Sequence, residues 1–189
     1  MGMLDLSSIS DENYERIATI TSEAAVDLHD CYQCGKCSAG CPMAHEMDLL
    51  PRQVLRALQL GQYEQVLNAK TPWICATCMV CSARCPQEIN IHGLMLAVRH
   101  AAKQQGLRPV AEPDIFDDIF ISNVRLFGKS NETILAGRYN LASRHLMQDM
   151  SNVPRMAARK MVGPKVHTVK NRKAVRELVD RVLKRGEEQ

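Results

Sequence analysis

Apolar residues recur along this chain at intervals of three and four, the spacing of one helix face. Val54, Leu55 and Leu58 share such a face, with Pro51 suited to a first turn and Gly61 to a C-terminal cap. A shorter helix is predicted next, carrying Tyr63, Val66 and Leu67. From Asn90, a good N-cap, a longer helix runs through Gln105, buries Leu94, Ala97, Val98 and Ala101, and closes at Gly106. Pro113 is expected to open PDIFDDIFISNVRLFG, which clusters Ile115, Phe116, Ile119 and Phe120 and stops at Gly128. All three phenylalanines, Phe116, Phe120 and Phe127, lie there. NETILAGRYNLASRHLMQDM reads as helical from Glu132, and a last helix covers Asn171 to Lys184 with Val175, Leu178, Val179, Val182 and Leu183 in one stripe. Near the start, Asp11 is the expected cap of a helix bearing Tyr14, Ile17 and Ile20. The β-branched residues within Ile17–Thr21 leave a strand open as the alternative. The fold class expected is mainly α.

The eight cysteines change this picture. They fall into two copies of one pattern, Cys31-x2-Cys34-x2-Cys37-x3-Cys41-Pro42 and Cys75-x2-Cys78-x2-Cys81-x3-Cys85-Pro86. That is the ligand run of a two-cluster ferredoxin, in which three cysteines of each run hold one [4Fe–4S] cube and the fourth reaches the other cube. Three cysteines two residues apart can wrap a short loop around one face of a cube, with backbone N–H groups facing its sulfides. The proline after the fourth cysteine cannot continue a helix, so the chain turns and the fourth thiolate faces away. The expected assignment is therefore Cys31, Cys34, Cys37 and Cys85 for cluster one, and Cys75, Cys78, Cys81 and Cys41 for cluster two. Such a pair of cubes moves single electrons.

Three other readings compete. Structural zinc also uses Cys-x2-Cys pairs, but two pairs per metal, without a third cysteine at the same step. A disulfide framework belongs to short secreted chains, and MGMLDLSSISDENYER has no basic start followed by an apolar stretch. Clusters can also serve structure alone.

Composition narrows the function further. A chain of 189 residues that is 46% hydrophobic can bury a core, while 4% aromatic residues argue against stacking on nucleic-acid bases. No stretch approaches a membrane span, and Leu6 stands where a myristoylation signal wants Ser or Thr. Eight free thiolates suit a reducing compartment, so a cytoplasmic location is expected. The net charge of +3 hides an asymmetry: residues 151–189 carry eleven basic and four acidic residues, +7, which leaves −4 for the first 150. A basic tail can meet nucleic acid, an anionic membrane surface or an acidic protein face, or can be a solvated helix face. There is no G-x-G-x-x-G after a strand, no phosphate-binding loop and no Cys-His nucleophile, since every cysteine is committed. His29, His45, His92, His100, His145 and His167 show no paired metal spacing. His29, two residues before Cys31, could tune cluster one or be a plain surface residue. Trp73, two residues before Cys75, could shield cluster two or be a plain core residue. Electron carriers without a substrate site point to one member of a larger complex, with no catalytic residue of its own.

On CYQCGKCSAGCP at 31–42, WICATCMVCSARCP at 73–86, the 44 residues from Cys31 to Cys75 with their helical insert, and the length, the chain resembles the C subunit of heterodisulfide reductase. The likeness covers about residues 25–110. It implies an α-helical ferredoxin-type domain with two [4Fe–4S] clusters over 26–110, an N-terminal extension over 1–25 and a helical C-terminal extension over 111–189 for partner docking. It also implies a relay role. Electrons would come from the A subunit, which contains flavin and iron–sulfur centres, with a hydrogenase or another donor module upstream. They would pass to the B subunit, whose noncubane clusters in CCG motifs cleave a disulfide, in methanogens that of coenzyme M and coenzyme B. No Cys-Cys-Gly occurs here, so the disulfide site is expected on another chain. Similar helical modules occur in the iron–sulfur subunits of succinate dehydrogenase, fumarate reductase, glycolate oxidase and glycerol-3-phosphate dehydrogenase. A free ferredoxin and a cluster-based sensor holding nucleic acid through the basic tail are the remaining alternatives.

Overall fold

A computed structural model describes residues 10–145, 152–159 and 168–187. Every regular element among them is a helix. The chain divides into two compact units, Met1–Val110 and Ala111–Gln189.

The first unit begins with α1 (Asp11–Ala24). Its N-cap is Ser10, whose Oγ accepts from the Asn13 N–H at 3.2 Å, so Asp11 is the first helical residue and not the cap. Ser and Asp cap comparably well, and the choice fell to the residue whose extended backbone precedes the first turn. The strand alternative over Ile17–Thr21 is overturned. Ile17, Ile20 and Ala24 are buried on one helical face, and packing overrides their β-propensity.

After a single 3-10 turn at Leu28–Asp30 come α2 (Lys36–Ala39), α3 (Pro51–Gln59), α4 (Tyr63–Leu67), α5 (Thr71–Ile74), α6 (Val80–Ala83) and α7 (Ile91–Gln104). Pro51 opens α3 as expected, and Gly61 beyond it has φ +72°. Val54, Leu55 and Leu58 are fully buried under it. Asn90 caps α7, accepting from the Gly93 N–H at 3.1 Å, while its Nδ2 donates to the Ala24 carbonyl at 3.2 Å. One side chain thus satisfies an orphan donor of α7 and an orphan acceptor at the end of α1. A Cβ at residue 93 would collide with that Asn90 side chain, which explains a glycine inside a helix. Helix α7 is the hub of the unit, packed against α1, α4, α5 and α6. Its Leu94, Met95 and Val98 join Leu55, Leu67 and Trp73 in one core.

The second unit holds α8 (Ala111–Phe127), α9 (Glu132–Ser143), α10 (Val153–Ala158) and α11 (Arg172–Glu187). Helix α8 starts two residues before Pro113, which sits in the first turn where its missing N–H costs nothing. Helix α9 starts at Glu132 and ends at a left-handed Arg144; the rest of its predicted course, 146–150, lies outside the described residues. The stripe of α11 splits. Val175 and Val179 are half-buried, whereas Leu178 and Val182 are each 61% exposed and Leu183 42%. Asp180 on α11 pairs with Arg125 on α8 at 2.6 Å. Phe116 stacks on Phe120 and meets Tyr139 of α9 edge-on, with centroids 6.2 and 5.8 Å away.

Candidate metal centre

Both cysteine runs fold the same way. The second cysteine of each is bracketed by two left-handed residues: Gln33 (φ +63°) and Gly35 (+81°) around Cys34, Thr77 (+49°) and Met79 (+61°) around Cys78. Only Gly35 takes that conformation freely; a β-branched threonine there is strained, and strain of this kind persists where a site needs it. A chain turning in this way gathers successive N–H groups on its concave side and forms a nest for an anion. One helical turn follows in each run, α2 and α6, and presents Cys37 and Cys81. The next residue, Ser38 or Ser82, accepts the backbone N–H of the second residue of the following long helix. These are Arg52 on α3 at 3.0 Å and His92 on α7 at 3.1 Å. The chain therefore contains an internal repeat of loop, short helix and long helix. The two short helices pack on each other. Gly40 lies under the Arg84 side chain, whose Cδ would be 2.8 Å from a Cβ there.

Cys41, last of the first run, lines one narrow and mostly apolar cleft together with Cys75, Cys78 and Cys81. Methionines 43, 47, 79 and 95 make up half of the remaining lining, and His92 adds an imidazole. The Cys41 Sγ lies 3.9 Å from the Met47 Sδ. On the other side, Cys31 and Cys34 are electrostatic neighbours of Cys37. The hydroxyl of Tyr32 is pushed up by its surroundings and then by Cys34 and Cys85 together. Cys34 and Cys78 are exposed, and Cys37 is buried.

Burial pushes the Cys37, Cys75 and Cys81 thiols up, against hydrogen bonds from Ser38 to Cys37, Thr77 to Cys75 and Ser82 to Cys81. Neighbouring thiols add to the rise, and only Arg99 opposes it at Cys75 by charge. These cysteines become thiolates when a metal supplies the positive charge. Four sulfur donors in an apolar wall suit a soft, sulfur-rich iron centre and not a hard cation. Among the described residues no three His, Cys, Asp or Glu side chains close round a point that one ion would occupy. A cube spreads its thiolates over four separate irons, so it fits the wider arrangement.

Several supporting residues carry no sequence signal. Gln33 Nε2 reaches the Cys31 Sγ at 3.4 Å, and Gln59 Nε2 donates to the carbonyls of Leu28 at 2.7 Å and Cys31 at 3.1 Å. Arg99 lies 5.0 Å from the ring of Trp73 and Lys103 5.9 Å, a cationic cover over a buried indole that is 2% exposed. Trp73 thus belongs to the core, and the Arg99 above it is the cationic neighbour of Cys75. His29 is exposed, and its backbone N–H donates to Asp27.

Asp48 is the least expected of these. Its carboxylate accepts from the N–H groups of Lys70 (2.8 Å) and Thr71 (3.0 Å) and from the Thr71 hydroxyl (2.8 Å). It thereby pins the start of α5, which leads directly into Cys75. Burial alone would raise this carboxyl, but the hydrogen bonds from Lys70, Thr71 and Leu49 outweigh it and hold it below the usual range. A depressed native value means that the stabilisation is complete above the unfolded carboxyl's pKa and is lost as pH falls through the native one. Asp48→Asn is expected to lower stability by about 0.5–2 kcal/mol at neutral pH, the range for a lost cap. The gap between the two unfolding midpoints should close in acid; a gap independent of pH would count against the charge as its source.

The family described as "4Fe-4S dicluster domain" matches residues 27–89. Curated relatives include the iron–sulfur C subunit of the CoB–CoM heterodisulfide reductase of Methanopyrus kandleri, 34% identical over 84 residues, 44% of each chain. The corresponding C 2 protein of Methanocaldococcus jannaschii is 38% identical over 76 residues, 40% of each chain. A protein of Archaeoglobus profundus, named as like the heterodisulfide reductase C subunit, is 30% identical over 127 residues, 66% of this chain and 63% of that one. The chain spans less than half the length of the first two relatives. The resemblance to the C subunit holds across several relatives at 30–38% identity, and the chain carries a 4Fe–4S domain.

Proposed function

We propose that this chain is the two-cluster electron-relay subunit of a heterodisulfide reductase-type oxidoreductase. The observation that supports the reading is the cleft that Cys41 shares with Cys75, Cys78 and Cys81. Cys31, Cys34, Cys37 and Cys85 hold cluster one; Cys75, Cys78, Cys81 and Cys41 hold cluster two. The two [4Fe–4S] groups supply one-electron chemistry. The protein's own residues do the rest. Crossed ligands bind the two loops together, so the sites stay close without a mobile linker. Methionines 43, 47 and 95 keep water from the inner side. Cys34 and Cys78 bring one thiolate of each site to the surface, where an electron can enter at one and leave at the other.

No side chain on this chain is assigned a catalytic role; the disulfide-cleaving centre belongs to a CCG-domain partner, and a flavin-containing iron–sulfur protein is the donor. Residues 26–110 form the helical ferredoxin-type domain. Residues 111–189 form the docking extension, supported by the exposed Leu178, Val182 and Leu183 of α11. No helix among the described residues is long and apolar enough to cross a membrane. A reducing, cytoplasmic setting suits free thiolates.

Anaerobic capture of the tagged protein from its source cells tests this. Two partners should be recovered with it, one bearing flavin and one rich in CCG motifs. Recovery alone, with both clusters intact, would overturn the complex and favour a free carrier.

A further inference from the structure

The internal repeat places two different side chains at one equivalent position. Arg52 and His92 are each the second residue of the long helix after a cysteine run, and each gives its backbone N–H to the serine after the third cysteine. Arg52 lies at the first loop, with its Cδ 3.8 Å from where a Cβ on Gly35 would stand. His92 lines the cleft of Cys41, Cys75, Cys78 and Cys81. Its Nδ1 is buried and, among the described residues, has no hydrogen-bond partner. A buried ring nitrogen left unpaired is destabilising, and such groups are rare in native proteins. The rest of that wall offers only thiols, thioethers and apolar side chains. Among the side chains that line that cleft, sulfur atoms are the acceptors open to an Nδ1–H.

We infer that His92 tunes cluster two: its Nδ1–H donates a hydrogen bond to sulfur in the site of Cys41, Cys75, Cys78 and Cys81 and raises that cluster's reduction potential. The inference rests on the two-cluster reading above. Reduction adds negative charge to the site, and a donor aimed at sulfur favours the more negative state. The neutral imidazole suffices, because the Nδ1–H tautomer is already a donor. Cluster one has no imidazole at the equivalent position, so the repeat makes two sites with unequal potentials from one loop design.

The test uses the full chain with both clusters assembled, titrated electrochemically and read by electron paramagnetic resonance. The cluster-two signal is defined as the one missing in Cys41→Ala. In His92→Phe that signal should reach half-reduction at a lower potential, by about tenfold in the reduced-to-oxidised ratio, about 59 mV for one electron. The cluster-one signal should not move. His92→Gln should recover part of the shift, because its carboxamide can donate. If His92→Phe does not load both clusters, His92→Leu is titrated in its place against His92→Gln. Unchanged potentials in a fully loaded donor-free variant, or equal shifts in the donor-free and Gln variants, would overturn the inference. Failure of the wild-type chain to load two clusters would instead overturn the reading on which it rests.

Discussion

Replacing Cys41 with alanine is expected to abolish the cluster bound by Cys75, Cys78 and Cys81 and to spare the one bound by Cys31, Cys34 and Cys37. In sequence Cys41 belongs to the first run, and a simple reading would tie its loss to the first site. In space it shares a cleft with the second run, and Cys41 and Cys78 are both electrostatic neighbours of the Cys75 thiol. A cube lacking one of four thiolates has an open iron exposed to water and oxidants, so the whole site should fail and not a quarter of it. Iron content should fall by half. The surviving spectrum should match that of Cys78→Ala and differ from that of Cys34→Ala. Cys85→Ala should give the mirror result. A Cys41→Ala spectrum that matches Cys34→Ala would refute the crossed assignment. Because metal binding and folding are coupled in small metal domains, unit Met1–Val110 should also unfold at lower denaturant in either variant.

Leu94→Ala should have the largest effect of any core substitution that leaves the cysteines in place. Leu94 is fully buried in α7, the helix that packs against α1, α4, α5 and α6. Truncation removes apolar contact and leaves a cavity that four helices cannot close at once, a loss of about 2–5 kcal/mol. A domain of this size has about 5–15 kcal/mol in total, so a large share of its stability is at stake. Met95 and His92, which line the cluster-two cleft, flank the site on the same helix. Cluster two should therefore bleach faster than cluster one. Leu96 offers the control: it lies on the same helix but is 42% exposed, and Leu96→Ala should stay within about 0.5 kcal/mol of wild type. Urea midpoints of the loaded proteins decide it. Equal midpoints for the two variants would mean that α7 is not the hub.

Much of the first unit is legible before folding. Pro51, Gly61, Asn90 and Gly106 act on their immediate neighbours through fixed φ, left-handed backbone or one capping bond, so α3 and α7 fall where the pattern puts them. The misreadings are also local. Asp11 and Ser10 are both good caps, and only the chain's approach to α1 selects Ser10. Ile17 and Ile20 favour strand by themselves but are held helical by burial against the core. Helix α10 (Val153–Ala158) has no counterpart in the predicted pattern. The stripe of α11 is correctly placed but does not say which of its residues are covered, since that depends on α8.

By itself the sequence determined the longer helices, the caps of α3 and α7, and the two matching cysteine runs, because each of these is set within a few residues. It also determined the chemistry those cysteines suit, because thiolate number and spacing are properties of the chain alone. Tertiary structure alone decided that methionines and His92 line the cleft of Cys41 and the second run, that Asp48 holds the entry to Cys75, and that Arg52 and His92 occupy matching places at unlike loops. These depend on how helices distant in the chain pack, which is set by burial of side chains around α7 and leaves no periodic trace in the order of residues.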